Sequence, residues 1–214
     1  MSTNRTIDDK IREGRNYRQM EVRALEDQGE DSYIVEGYAT TFNEPYTLYS
    51  EPGYRFQEVV DPKAFDETDM ADVIMQYDHE GRVFARKSNG TLQLSVDDHG
   101  LKVRADLGGT EIGRQLYEEI RGGYTNKMSF GFTVQKDSME QEQREDVLVV
   151  TRRLLSIKKL YDVSAVSLPA NDATAIYARN YGEGVIAEVK EEIRLANERR
   201  ARKESLLKEI MEDL

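Results

Sequence analysis

At 214 residues, 38% hydrophobic and 33% charged, the chain is long enough for one domain with a real core plus a tail. Its formal net charge of −11 argues against general nucleic-acid binding, which needs clustered Lys and Arg, and against docking on anionic membranes. The absence of cysteine excludes disulfides, thiolate zinc sites and cysteine nucleophiles, and imidazole chemistry must use His79 or His99.

The N-terminal stretch is charged and lacks an apolar h-region, so no signal peptide is expected. No run nears the roughly 18 apolar residues of a membrane span. The expectation is a soluble, cytosolic protein of bacterial or viral origin.

In chain order, residues 1–16 are polar and predicted to be a flexible segment. Tyr33–Phe42 reads as a strand, Phe56–Val60 as a second, stopped by Asp61-Pro62. Val73–Tyr77 and Val83–Arg86 are strands joined by a D-H-E-G turn. Leu92–Val96 and Leu101–Leu107 flank D-D-H-G and predict a hairpin. The period then changes: Ile112, Leu116 and Ile120 mark a helix over Thr110–Arg121, ended by Gly122-Gly123. Met128–Val134 resumes the strand pattern, and Ser138–Asp146 reads as a polar loop. Val147–Thr151, Leu154–Lys158 and Val163–Leu168 are three further strands. Residues 182–214 are rich in Glu, Lys, Arg, Ala and Leu, with helical spacing, and predict a helical or coiled-coil tail outside the core. The fold class is therefore mainly β with helices (α+β): an antiparallel barrel or sandwich with helical decoration. Three segments follow: a flexible segment 1–16, a main domain 17–181 and the tail 182–214.

His79 ends an apolar strand, where a rigid element can aim its ring, although the same position suits an ordinary turn histidine. His99 sits at a hairpin tip, where a polar residue needs no further reason. Ser129, in M-S-F-G-F, is a candidate nucleophile for such a base, and Gly131 leaves room for a substrate backbone. It is equally a small residue facing away from a core filled by Phe130 and Phe132. Asp162, in L-Y-D-V-S, could accept the imidazole N–H and hold its tautomer, or pair with Lys158 or Lys159 at a strand start. Asp78, His79 and Glu80 make a poor metal site, because consecutive side chains on a strand end point to different faces. Neither phosphate-loop motif, G-x-x-x-x-G-K-S/T or G-x-G-x-x-G, occurs, and no metal or cofactor is expected.

Together, G-Y-A-T-T-F-N, F-Q-E-V-V-D-P-K-A-F, Q-Y-D-H, the helix ending I-R-G-G, M-S-F-G-F and D-V-S-A-V-S-L-P-A-N, in this order from about Tyr17 to Arg179, resemble the prohead (capsid maturation) serine proteases of tailed bacteriophages. The resemblance implies an assemblin-like closed β-barrel surrounded by helices. It implies a serine endopeptidase acting inside the procapsid in the host bacterial cytoplasm. Its implied substrates are the scaffold, or the scaffold segment of the major capsid protein, and the enzyme itself, which also makes a homodimer an expectation. His79 takes the role of general base and Ser129 that of nucleophile. Asp162 stands where the family often carries Glu, one methylene longer. D-P-K-A-F departs from the more usual P-G-A-F. A non-catalytic assembly protein with a protease-like barrel is the second reading.

Overall fold

In a computed structural model, residues 16–24, 32–166 and 172–212 are described, with side chains over 32–166 and 182–205. Most of the expected flexible segment 1–16 and the stretch beyond Val166 to Leu168 lie outside them. The strands are β1 (Asn16–Ala24), β2 (Ile34–Thr41), β3 (Tyr46–Glu51), β4 (Tyr54–Val60), β5 (Ile74–Tyr77), β6 (Glu80–Arg86), β7 (Leu92–Val96), β8 (Gly100–Asp106), β9 (Lys127–Arg144) and β10 (Val147–Val166). Helix α1 (Glu111–Arg121) separates β8 from β9, and α2 (Asp172–Glu212) follows β10.

All strands join one sheet in the order β3-β4-β10-β9-β1-β2-β8-β7, with β5 added to β10 and β6 to β5. The closed antiparallel barrel expected from the sequence is not found among the described residues. The path is open, since β3, β6 and β7 each pair on one side only, and β10 runs parallel to both β4 and β5. The cause lies in β10. Its first third, Leu148–Leu154, pairs with β4, while its end, Asp162–Ala165, pairs with β5. One long strand therefore holds two different neighbours on one edge, and the sheet branches there.

That strand also corrects two expectations. Ser138–Asp146 is not a loop: Ser138–Arg144 is the outer part of β9, paired with Val147–Arg153 of β10 around a turn where Glu145 has φ 53°. Over the described residues 147–166, the three expected strands are one. Register shifts between Leu154 and Asp162 are β-bulges that reset the in/out alternation without ending the pairing.

Helix α1 forms as its spacing predicts. Thr110 Oγ1 accepts from Gly113 N at 3.1 Å as N-cap, and Leu116, Tyr117 and Ile120 form the buried stripe. They meet a core that includes Met75, Leu101, Leu107, Phe130, Phe132, Leu160 and Val163. Phe130 and Phe132 stack with centroids 4.6 Å apart. A second, smaller cluster joins Phe56 and Val150 to Ile186 and Val189 of α2. Here Gly182 is a packing residue: a Cβ on it would lie 2.4 Å from Tyr49 Cβ. Lys190 Nζ closes the contact, 2.7 Å from Glu51 Oε1 and 4.5 Å from the Tyr54 ring centroid. From residue 191 to 205 the helix is exposed all round. No helix among the described residues is long and apolar enough to cross a membrane.

Candidate active site

The hairpin β5–β6 is where backbone geometry first marks a site. Tyr77 pairs with Glu80, leaving Asp78-His79 as a two-residue loop. Their φ values are 48° and 62°, as a type I′ turn requires at both central positions. Glycine, asparagine or aspartate normally takes such places, which suits Asp78, whereas a left-handed backbone costs a residue such as His79 about 1–2 kcal/mol. The turn is held by the amide of Asp78, which donates to the Ala165 carbonyl at 2.9 Å. The open end of the hairpin is clamped by Arg86, whose guanidinium binds Asp72. That contact, helped by Ser88, lowers the Asp72 carboxyl to about 2, although both side chains are exposed and the pair adds little stability.

The strain has a counterpart in a side-chain contact. His79 Nδ1 hydrogen-bonds Asp162 Oδ1, and the two residues are 3% and 1% exposed. With Nδ1 donating to a carboxylate, the neutral ring keeps its lone pair on Nε2, the form a general base needs. Strand β5 makes this meeting possible by pairing Ile74 with Asp162 and Tyr77 with Ala165, which sets the turn beside the end of β10. The sequence alternative, an ion pair of Asp162 with a neighbouring lysine, does not hold for Lys159, which binds Asp69 at 2.7 Å. His99 stays at the exposed tip of the β7–β8 hairpin, its amide donating to Asp97 and its ring edge-on to Tyr38.

Ser129 reaches the same surface through β9. Ser164 faces Ser129 and Asp162 faces Gly131 in the β9–β10 ladder, so Asp162, Ser164 and Ser129 share one face. Met128, Phe130, Val163 and Ala165 occupy the opposite, core face. Ser129 does face away from the phenylalanines, but it is only 2% exposed and so is not a solvent-facing filler. Gly131 puts no side chain beside the carboxylate. Ser164 was not singled out by its place in the sequence. Its hydroxyl donates to Asp162 Oδ1 at 3.0 Å, the oxygen that also binds His79. The i, i+2 spacing of D-V-S was the available signal.

A groove of about 640 Å³ runs beside the His79 turn, between β6 and α1, with Tyr77, Phe84, Ile112 and Leu116 as its apolar wall. A family model described as the caudovirus prohead serine protease matches residues 18–185. The chain belongs to that family. The prohead serine proteases are a serine peptidase family of phage capsid maturation, so the chain is in general a capsid maturation protease. The matched span contains the His79 turn, all of β9 and β10, and α2 up to its contact with the sheet. No curated protein and no solved structure matches the chain.

Proposed function

We propose that this prohead protease is a serine endopeptidase with Ser129 as nucleophile, His79 as general base and Asp162 as the group that orients the imidazole. The observation that carries the reading is the buried His79–Asp162 hydrogen bond on the face that also bears Ser129. His79 takes the Ser129 proton as Oγ attacks the scissile carbonyl carbon, and Asp162 stabilises the imidazolium that forms. Collapse of the tetrahedral intermediate breaks the C–N bond while His79 returns the proton to the leaving amine. Water, deprotonated by His79, then hydrolyses the acyl-enzyme. A lost oxyanion donor costs about 3 kcal/mol in such chemistry. Backbone amides of Asp162–Ser164 are poor candidates for that role, because β10 is paired on both sides there.

The proposed substrates are the scaffold, or the scaffold segment of the major capsid protein, and the enzyme's own ends. Residues 17–181 are the proposed catalytic unit. The exposed part of α2 in the tail 182–214 is the proposed contact with scaffold, capsid protein or a second copy. Co-expression with a capsid protein carrying its scaffold segment tests the reading. Wild type is expected to truncate that protein and to lose its own residues before about Tyr17 and after about Arg179, by mass spectrometry. Ser129→Ala should leave every terminus intact. Equal truncation by both would exclude Ser129, and no truncation by either would favour an assembly protein without activity.

A further inference from the structure

Ser164 stands at the centre of the site with no part in the reaction just described. It is fully buried, and its hydroxyl donates to Asp162 Oδ1 at 3.0 Å. Its position in the ladders lies directly opposite Ser129 on one side and Gln76 of β5 on the other. In the antiparallel ladder with Ser129, residues opposed in this way have Cβ atoms about 4.5–5.5 Å apart. Neighbouring Val163 and Ala165 are locked in the core on the opposite face, so β10 cannot turn Ser164 away without exposing them.

We propose that Ser164 is a positioning residue: its hydroxyl holds the Asp162 carboxylate in the orientation that meets His79, at the spacing that faces Ser129. This rests on the reading that Asp162 orients His79 for Ser129. The physical need is specific. The last torsion of an aspartate is broad and roughly two-fold, so a carboxylate with one partner can swing. A second donor on the same oxygen narrows that swing, and it also helps compensate a carboxylate taken out of water. Nothing apolar could do this, although Ala would fill nearly the same volume between Val163 and Ala165. Nor is Ser164 the better nucleophile, since its proton is committed to a carboxylate and not to an imidazole.

The test measures kcat and KM on a capsid protein carrying its scaffold segment, for wild type, Ser164→Ala and Ser164→Thr, with Ser129→Ala and His79→Ala alongside. Ser164→Ala should lower kcat by about 10–100-fold at unchanged KM, the scale of a misplaced catalytic group. Ser164→Thr keeps the donor and should restore kcat to within about threefold, an effect that simple packing would not produce because Thr fits the site less well than Ala. A wild-type rate in Ser164→Ala overturns the proposal, as do equal losses in the Ala and Thr variants or a loss confined to KM. Should Ser164→Ala fail to fold, Ser164→Thr is compared with its isostere Ser164→Val, and equal rates in that pair overturn it. Full activity in Ser129→Ala would instead remove the underlying reading, a pattern distinct from inactive Ser129→Ala beside a wild-type Ser164→Ala.

Discussion

His79 occupies a backbone conformation that its own side chain disfavours, and that strain persists because both neighbours of the turn over-determine it. The Asp78 amide is tied to β10, and the His79 ring is tied to Asp162. Strained residues of this kind concentrate at functional sites. The charge on Asp162 should matter as much as its shape. Asp162→Asn offers an amide to Nδ1 and disfavours the productive tautomer, so kcat should fall by about 10⁴-fold. Asp162→Glu keeps the carboxylate and should lose far less activity, while its extra buried methylene costs about 1–3 kcal/mol of stability. Equal activity in Asp162→Asn and wild type, in a steady-state cleavage assay, would contradict the orienting role. His79, Ser129 and Asp162 could be named as candidates because each sits in a distinctive segment and the segments come in a fixed order; the structure joins His79 to Asp162 and puts Ser129 on the same sheet face. Ser164 was not a candidate. A serine in an alternating strand looks like filler until the partner strands show which side chains share its face.

At the scale of elements, period and spacing located β2, β4, β5, β7, β8 and α1 to within a residue or two, because each strand is a short run bounded by turn residues and α1 carries one apolar stripe. Strand β6 was found, but it begins three residues earlier, at Glu80. What failed was the joining of runs. Bulges between Leu154 and Asp162 break the alternation without breaking the strand, and the charged pair Arg152-Arg153 interrupts the apolar run within regular pairing, so β10 reads as three. The outer part of β9 is polar because it borders solvent, and only its partner across the hairpin makes it a strand. Strands β1 and β3 passed unnoticed. Gly182 opens the helical tail 182–214 of the sequence reading, yet a Cβ on it would collide with Tyr49 of β3. Helix propensity alone would reward Gly182→Val by a few tenths of a kcal/mol. The clash with Tyr49 should win instead, since lifting Ile186 and Val189 off Phe56 and Val150 forfeits about 1.5–3 kcal/mol per side chain. We expect Gly182→Val to unfold at lower denaturant and to be cut sooner by trypsin within α2. Unchanged digestion and midpoint would mean that the helix does not depend on that contact.

The whole molecule joins the buried face proposed as catalytic to an exposed helix. The face is set by β9, β10 and the β5–β6 turn. The helix beyond Lys190 carries its own exposed ion pairs, Arg194 with Glu191 and Glu198, and Arg200 with Glu204, each of small worth in water. Such pairs hold a helix without needing a sheet beneath it, which suits a segment offered to a partner. Whether the sheet closes into a barrel could not be read from the sequence, because closure depends on which edges meet, and no alternation pattern encodes that. Ser129 and His79 are so little exposed that a polypeptide must displace whatever covers them, whereas a small reagent faces less obstruction. The most direct measurement of the central claim is therefore covalent labelling by a small phosphonofluoridate, read by peptide mass spectrometry on the full chain. The account predicts one phosphonylated residue, Ser129, with labelling abolished in Ser129→Ala and strongly slowed in His79→Ala. A label on another serine, or labelling of Ser129 at the same rate without His79, would contradict it.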